Sequence, residues 1–175
     1  MPESSFSFAS SEDLEAVVDL LRECGLPHED IHKHLSGLIV AKHDGRLIGT
    51  IALEAYNDVG LLRSLAVVSD QRNRGLGRAL YWRIVADAQL RGVTTLYLLT
   101  TTASEYFSKL GFRVLDRSEV PPEIAATEEF SSLCPSNYSL SSQKPVRRRQ
   151  VAPGTSSNRA GNRRPLSGGK LNDCF

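Results

Sequence analysis

Residues 61–80 read LLRSLAVVSDQRNRGLGRAL, and the order of residue types along them decides what the rest of the chain can be. The leucine- and valine-rich run from Leu61 to Val68 reads as a buried strand, and it stops at Ser69-Asp70. Next come Arg72-Asn73-Arg74-Gly75-Leu76-Gly77, and then Leu76, Ala79, Leu80, Ile84 and Ala88 on one helical stripe that Gly92 ends. The order is strand, turn, helix. Without Cβ atoms, Gly75 and Gly77 let the turn bend sharply and let its backbone approach a ligand closely. Free N–H groups at the helix start, the positive end of its dipole and the arginines Arg72, Arg74 and Arg78 would together hold phosphate oxygens, most naturally a pyrophosphate. Two common phosphate motifs do not fit. A dinucleotide fingerprint needs Gly or Ala where Leu80 stands, and the Gly-Lys-Ser/Thr of a P-loop is missing from the chain.

Toward the N-terminus, Ser10 or Ser11 can cap a helix with Glu12 and Asp13 in its first turn; Leu14, Val17, Val18 and Leu21 follow, and Gly25 with Pro27 ends it. Leu38 to Ala41, a turn at His43-Asp44-Gly45, the alternating run Leu47 to Tyr56, a turn at Asn57-Asp58 and the run Val59 to Val68 predict three antiparallel strands. Toward the C-terminus the pattern predicts a strand over Thr95–Thr101, a helix from Ala103 to Leu110, a strand from Phe112 to Leu115 and a third helix from Pro122 to Phe130. A last edge segment falls in SLCPSNYSL, residues 132–140, because Pro135 is awkward inside a central strand. Strand–helix–strand connections require a parallel portion of sheet, so the expected class is α/β with a mixed, mostly antiparallel sheet flanked by helices.

Strand parity brings two charged residues together. If the turn after Tyr56 has an even number of residues, Thr50, Ala52, Glu54 and Tyr56 share a face with Leu61 and Arg63, making Glu54 and Arg63 cross-strand or diagonal neighbours.

Composition narrows the class further. With 175 residues the chain is long enough for one domain with a proper core and short for two. No apolar run approaches the roughly 18 residues of a membrane span, and the N-terminus has no secretory pattern, so a cytoplasmic protein is expected. Cys24, Cys134 and Cys174 lie far apart without a C-x-x-C pair, which argues against a disulfide framework or a thiolate zinc site. Cys24, His28 and His32 are four apart, but Gly25 and Pro27 interrupt any single helix through them, and Glu29, Asp30 and Lys33 read as solvated surface. No metal is expected.

Eight of the 21 basic residues lie from Lys144 onward against the single acid Asp173, leaving residues 1–143 with a net charge of −6. Residues 144–175 have too few apolar side chains to offset the entropy of ordering and are expected to form a disordered basic tail. That tail lacks aromatic residues for base stacking apart from Phe175, so no specific nucleic-acid binding is expected.

The R-x-x-G-x-G string at Arg72–Gly77 after Ser-Leu-Ala-Val resembles the signature of the GNAT superfamily of N-acetyltransferases. The string ASEYFSKLGF at 103–112 is similar to a second mark of that superfamily. LLRSLAV, YLLTTTASEYFSKLGF and a late Leu-Cys-Pro resemble the N-acetylglutamate-synthase-like amino-acid acetyltransferases; Leu53–Tyr56 and Leu61–Val67 also look like acetyltransferases encoded beside arsenic-resistance genes. The resemblance implies an acetyltransferase domain over 1–143 that moves acetyl from acetyl-CoA to a small amine substrate of amino-acid type, with a homodimer left open. It implies that Arg72, Asn73, Arg74, Gly75, Leu76, Gly77 and Arg78 hold the cofactor pyrophosphate and that Leu65, Ala66 and Val67 offer backbone to the pantetheine arm. Where most members carry a tyrosine that protonates the departing thiolate, this chain has Phe107, so the neighbouring Tyr106 is the candidate acid. Glu54 is the candidate base, directly or through a water. Arg63 is the candidate ligand for a substrate carboxylate, its forked guanidinium suiting that role; pairing with Glu54 is the other reading of both residues. Protein or peptide acetylation, and a CoA-binding sensor without turnover, remain the alternatives.

Overall fold

A computed structural model describes residues 4–133 and 139–143. Strands β1 (Ser5–Phe8), β2 (Leu38–His43), β3 (Arg46–Tyr56), β4 (Val59–Val67), β5 (Thr95–Thr100), β6 (Arg113–Leu115) and β7 (Ser139–Gln143) form one sheet in the order β1-β2-β3-β4-β5-β7-β6. Among the described residues only the β4–β5 pair is parallel. Helices α1 (Leu14–Glu23), α2 (Leu76–Leu90), α3 (Ser104–Lys109) and α4 (Pro122–Ala125) connect the strands. Among the described residues no helix is long and apolar enough to cross a membrane.

Strand alternation divides the core between two faces. Leu38, Val40, Ala52 and Ala66 pack under Val17, Leu20 and Leu21 of α1, while Ile39, Ala41, Leu53 and Leu62 pack under Leu80, Ile84 and Ala88 of α2. The predicted hairpin has a two-residue turn: Tyr56 pairs with Val59, leaving Asn57-Asp58, with Asn57 at φ 54°. Its even length places Ala52 opposite Arg63 and Glu54 opposite Leu61, so Glu54 and Arg63 are diagonal neighbours as parity requires.

Two irregularities in β4 shape everything that follows. Thr50 faces Ala66 while Ala52 faces Arg63, so β4 carries one residue more than its partner over this interval, and within the bulge Ser64 adopts φ 57°. Leu62 and Leu65, three positions apart, consequently share the α2 side of the sheet. The second irregularity is a parting of strands. β4 and β5 pair from Val59–Thr95 to Leu62–Leu98 and no further, although β4 runs on to Val67.

The C-terminal part departs from the sequence pattern. β7 is not an edge strand: it lies between β5 and β6, tied at its end by Tyr81 Oη donating to Gln143 Oε1 (2.6 Å) and Gln143 Nε2 donating to the Leu110 carbonyl (2.8 Å). Pro135, which argued for an edge, precedes the strand and falls outside the described residues, as does the expected tail 144–175. The helix expected to reach Phe130 ends at Ala125. Thr127 Oγ1 donates to the Ile124 carbonyl (2.7 Å) and accepts from the Phe130 N–H (3.2 Å), and a wide turn over Glu129–Leu133 follows. This is the competition with helical bonding expected of a threonine hydroxyl. Strand β1 was not foreseen, because four residues are too few for a pattern.

Candidate active site

Where β4 and β5 part, a cavity of about 210 Å³ opens between Ser64, Leu65, Thr100, Phe107 and the loop Cys24–Pro27, with Arg63 and Glu129 in its wall. Beside it lies a wider depression of about 530 Å³ lined by Asn73, Gly75, Leu76, Gly77 and Arg78 on one side and Tyr106 and Lys109 on the other. The two share Thr102, so they bound one groove.

The depression is built from backbone. Gly75 caps α2 at φ 83°, and a Cβ placed there would meet nothing within 4 Å, which leaves the turn open to an approaching ligand. The first N–H groups of α2 have no acceptor inside the helix. Of the three arginines, Arg74 and Arg78 are exposed, whereas Arg72 turns back, its Nε donating to the Val67 carbonyl (2.9 Å) and Nη2 lying 3.7 Å from Cys24 Sγ. Arg72 therefore fastens the turn to the end of β4. Leu65, Ala66 and Val67 lie beyond the parting point, where β5 no longer pairs with them.

Buried charge makes up the other wall. All three guanidinium nitrogens of Arg63 face carboxylates: Nη1 and Nη2 meet Asp30 at 2.7 and 2.6 Å, Nη1 also meets Glu54 at 2.5 Å, and Nε lies 2.7 Å from Glu129. His34 Nε2 stands 3.2 Å from Asp30 and 3.4 Å from Glu54, and Tyr56 Oη donates to Glu54 Oε2 at 2.5 Å. Arg63, Asp30, Glu54 and Glu129 are each at most 6% exposed. Burial alone would raise the Asp30 carboxyl, but hydrogen bonds and charge from Arg63, assisted by His34, hold it below the ordinary carboxylate value. Burial opposes the charge on Arg63, yet Asp30, Glu129 and Glu54 outweigh it and raise its pKa. Burial, and next the bond to Glu54, push the Tyr56 phenol up. Asp30, His34 and Glu54 offer ligand-type atoms within 4.8 Å of one another, but the guanidinium already contacts both carboxylates.

Three sequence expectations change here. Asp30, read as solvated surface, is 1% exposed: a short turn over Ile31–Lys33 buries Ile31 and carries Asp30 beneath Arg63. Arg63, expected to grip a substrate carboxylate, has its nitrogens already directed at protein carboxylates. Tyr106 lines the turn-side depression while Phe107 lines the cavity at the parting strands, because one step along a helix rotates a side chain by about 100°. Burial raises the Tyr106 phenol against the opposing charge of Arg78. Glu54 touches Arg63 as parity suggested, but it stands behind the cavity wall, which Arg63 and Glu129 form. Glu129 was missed altogether.

Parallel strands that part beside a glycine turn opening a helix define a class of α/β fold with a hollow between sheet and turn. Residues 4–112 match the model of the acetyltransferase (GNAT) family, and the chain belongs to that family. It is similar to an amino-acid acetyltransferase of Azotobacter vinelandii (33% identity over 131 residues, 70% of this chain and 30% of the relative). Another amino-acid acetyltransferase, from Neisseria meningitidis, is 30% identical over 122 residues, 65% of this chain and 28% of the relative. The chain thus spans under a third of the length of these relatives. Among solved structures it resembles N-acetylglutamate synthase from Neisseria gonorrhoeae complexed with coenzyme A and N-acetyl-glutamate, with a TM-score of 0.73 and 26% identity, over 84% of this chain and 36% of that one.

Proposed function

We propose that this domain transfers acetyl from acetyl-CoA to the amine of a small molecule within a ternary complex. The observation that carries the reading is the adjacency of two hollows that share Thr102: one reaches the turn at Gly75, and the other reaches Ser64 and Leu65, where β5 has parted from β4. A pyrophosphate at the amides of Leu76–Arg78, with Arg74 and Arg78 adding charge and Asn73 shaping the turn, would anchor the cofactor. The pantetheine arm would then run as an extra strand along Leu65, Ala66 and Val67, delivering the thioester to the parting point. The names of the relatives favour an amino-acid-like acceptor, and an arsenic-containing analogue belongs on the same panel.

Chemistry at that point needs a neutral amine, proximity, and stabilisation of the oxyanion. The amine nitrogen attacks the carbonyl carbon, the C–S bond breaks, and the thiolate carries away the electron pair. Glu54 is the base in this reading. Glu54 does not itself line the cavity, so in this reading the amine proton reaches it through a water rather than directly. A thiol of ordinary pKa near 8.5 leaves without an obligatory proton donor, so the chemistry does not require Tyr106. A panel of amines, amino acids and their phosphorus and arsenic analogues, screened for free CoA release from acetyl-CoA, tests the reading. Release with one acceptor class supports it; tight acetyl-CoA binding with no release across the panel would replace it with a CoA-binding sensor.

A further inference from the structure

Acetyl transfer needs a donor for the charge that grows on the thioester oxygen, and one side chain at the parting strands has a hydroxyl that the protein leaves unused. Ser64 lines the cavity there, is 8% exposed, and its Oγ has no hydrogen-bond partner. An unpaired buried hydroxyl is costly and calls for an explanation. Two other polar side chains of the wall are in use: Arg63 is directed at Asp30, Glu54 and Glu129, and Thr100 Oγ1 accepts from the Ala103 N–H (3.0 Å).

The backbone explains why the hydroxyl is at this place. Ser64 sits at φ 57° inside the bulge of β4, immediately before the stretch Leu65–Val67 that β5 does not pair with. A bulge re-aims the side chain it carries, and a non-glycine residue holds this backbone state at a cost. Leu62, Leu65, Leu98 and Phe107 line the same cavity, each at most 6% exposed. Apolar surroundings strengthen a hydrogen bond to a charged oxygen, because the local dielectric is low. Since no protein group holds the hydroxyl, turning it about the Cα–Cβ bond between staggered positions breaks no hydrogen bond.

Resting on the acetyl-transfer reading, we infer that Ser64 is a catalytic residue whose hydroxyl donates a hydrogen bond to the carbonyl oxygen of the thioester. The bond forms when acetyl-CoA binds. It strengthens as the amine nitrogen adds to the carbonyl carbon and the C=O π pair moves onto oxygen. That pair returns as the C–S bond breaks and the thiolate leaves with its electrons. Ser64 keeps its own proton throughout, and the amine proton leaves by the route to Glu54.

Infrared difference spectra of the full chain with acetyl-CoA carrying carbon-13 at the carbonyl test the contact without any acceptor. The band of the bound carbonyl should move to higher wavenumber in Ser64→Ala, because losing the hydrogen bond stiffens C=O. Free CoA release, followed with the panel amine that reacts fastest, should fall about a hundredfold in kcat, the scale of one oxyanion donor, with little change in the acceptor KM. Affinity for CoA, which lacks that carbonyl, should stay the same. Should the alanine variant fail to fold, Ser64→Gly, which suits a positive φ, gives the same two readouts. An unmoved band or an unchanged kcat overturns the inference, and so does a raised acceptor KM with kcat kept, which would give the hydroxyl to the acceptor. If the band moves while no amine of the panel is acetylated, the contact to the carbonyl stands and the acetyl-transfer reading falls.

Discussion

The two walls of the groove are made in opposite ways. The turn at Asn73–Arg78 is one uninterrupted stretch that offers backbone amides and the conformational freedom of Gly75, and its exposed arginines have room to move. The cluster around Arg63 is drawn from four separate parts of the chain and consists of side chains locked to one another. The first wall suits a ligand whose shape is constant. The second is held by side chains from distant positions, so a change at any one of them is felt by the others.

Arg63→Met should separate the walls most sharply. It strands three buried carboxylates, and loss of one partner of such an assembly costs about 3–5 kcal/mol, a large part of a typical domain's stability. Urea unfolding should show that loss, and an unchanged midpoint would mean the cluster is not a structural unit. Gly75→Glu should instead spare much of the stability while abolishing acetyl-CoA binding by titration, because it puts bulk and negative charge where phosphate is expected and a side chain at positive φ costs only about 1–2 kcal/mol. Unaltered affinity would refute the turn as the anchor. Glu54→Gln should lower kcat by about a hundredfold or more, in the range of general base catalysis, with acetyl-CoA affinity nearly unchanged; equal losses in both would make Glu54 structural only.

Acid tests the charged wall from another side. The Asp30 carboxyl lies below its unfolded value, so its stabilising contribution is complete above about pH 3.9 and is lost as pH falls through the lowered folded value. Asp30→Asn should start less stable at neutral pH and lose stability less steeply on acidification below about pH 4, measured by thermal melts across pH. The smallest effect is expected within the turn itself. Arg72→Ala should weaken acetyl-CoA binding less than Arg78→Ala does, by under about 1 kcal/mol, the scale of exposed charge pairs, since Arg72 is engaged with Val67 and Cys24.

This contrast also explains what could be read from residues alone. The strand, turn and helix of 61–90 are local, and so is the hairpin parity that joins Glu54 to Arg63. Asp30 and Glu129 are not local. Asp30 lies in a polar run where only the lone apolar Ile31 hints at burial. Glu129 turns inward because Thr127 breaks a helix that the pattern would have continued. Tyr106 is local too: one step of helical rotation separates it from Phe107, and the two line different hollows.

The position of β7 has a consequence for how the protein is made. Its neighbours β5 and β6 emerge from the ribosome some 25 residues or more before it does, and both hold an open hydrogen-bonding edge until Ser139–Gln143 arrives to fill the slot. Synthesis therefore passes through a stage in which the other six strands exist and the sheet is still gaping. A pause or cleavage there would leave a species prone to sticking to its own kind, and timely delivery of five residues is what closes that interval.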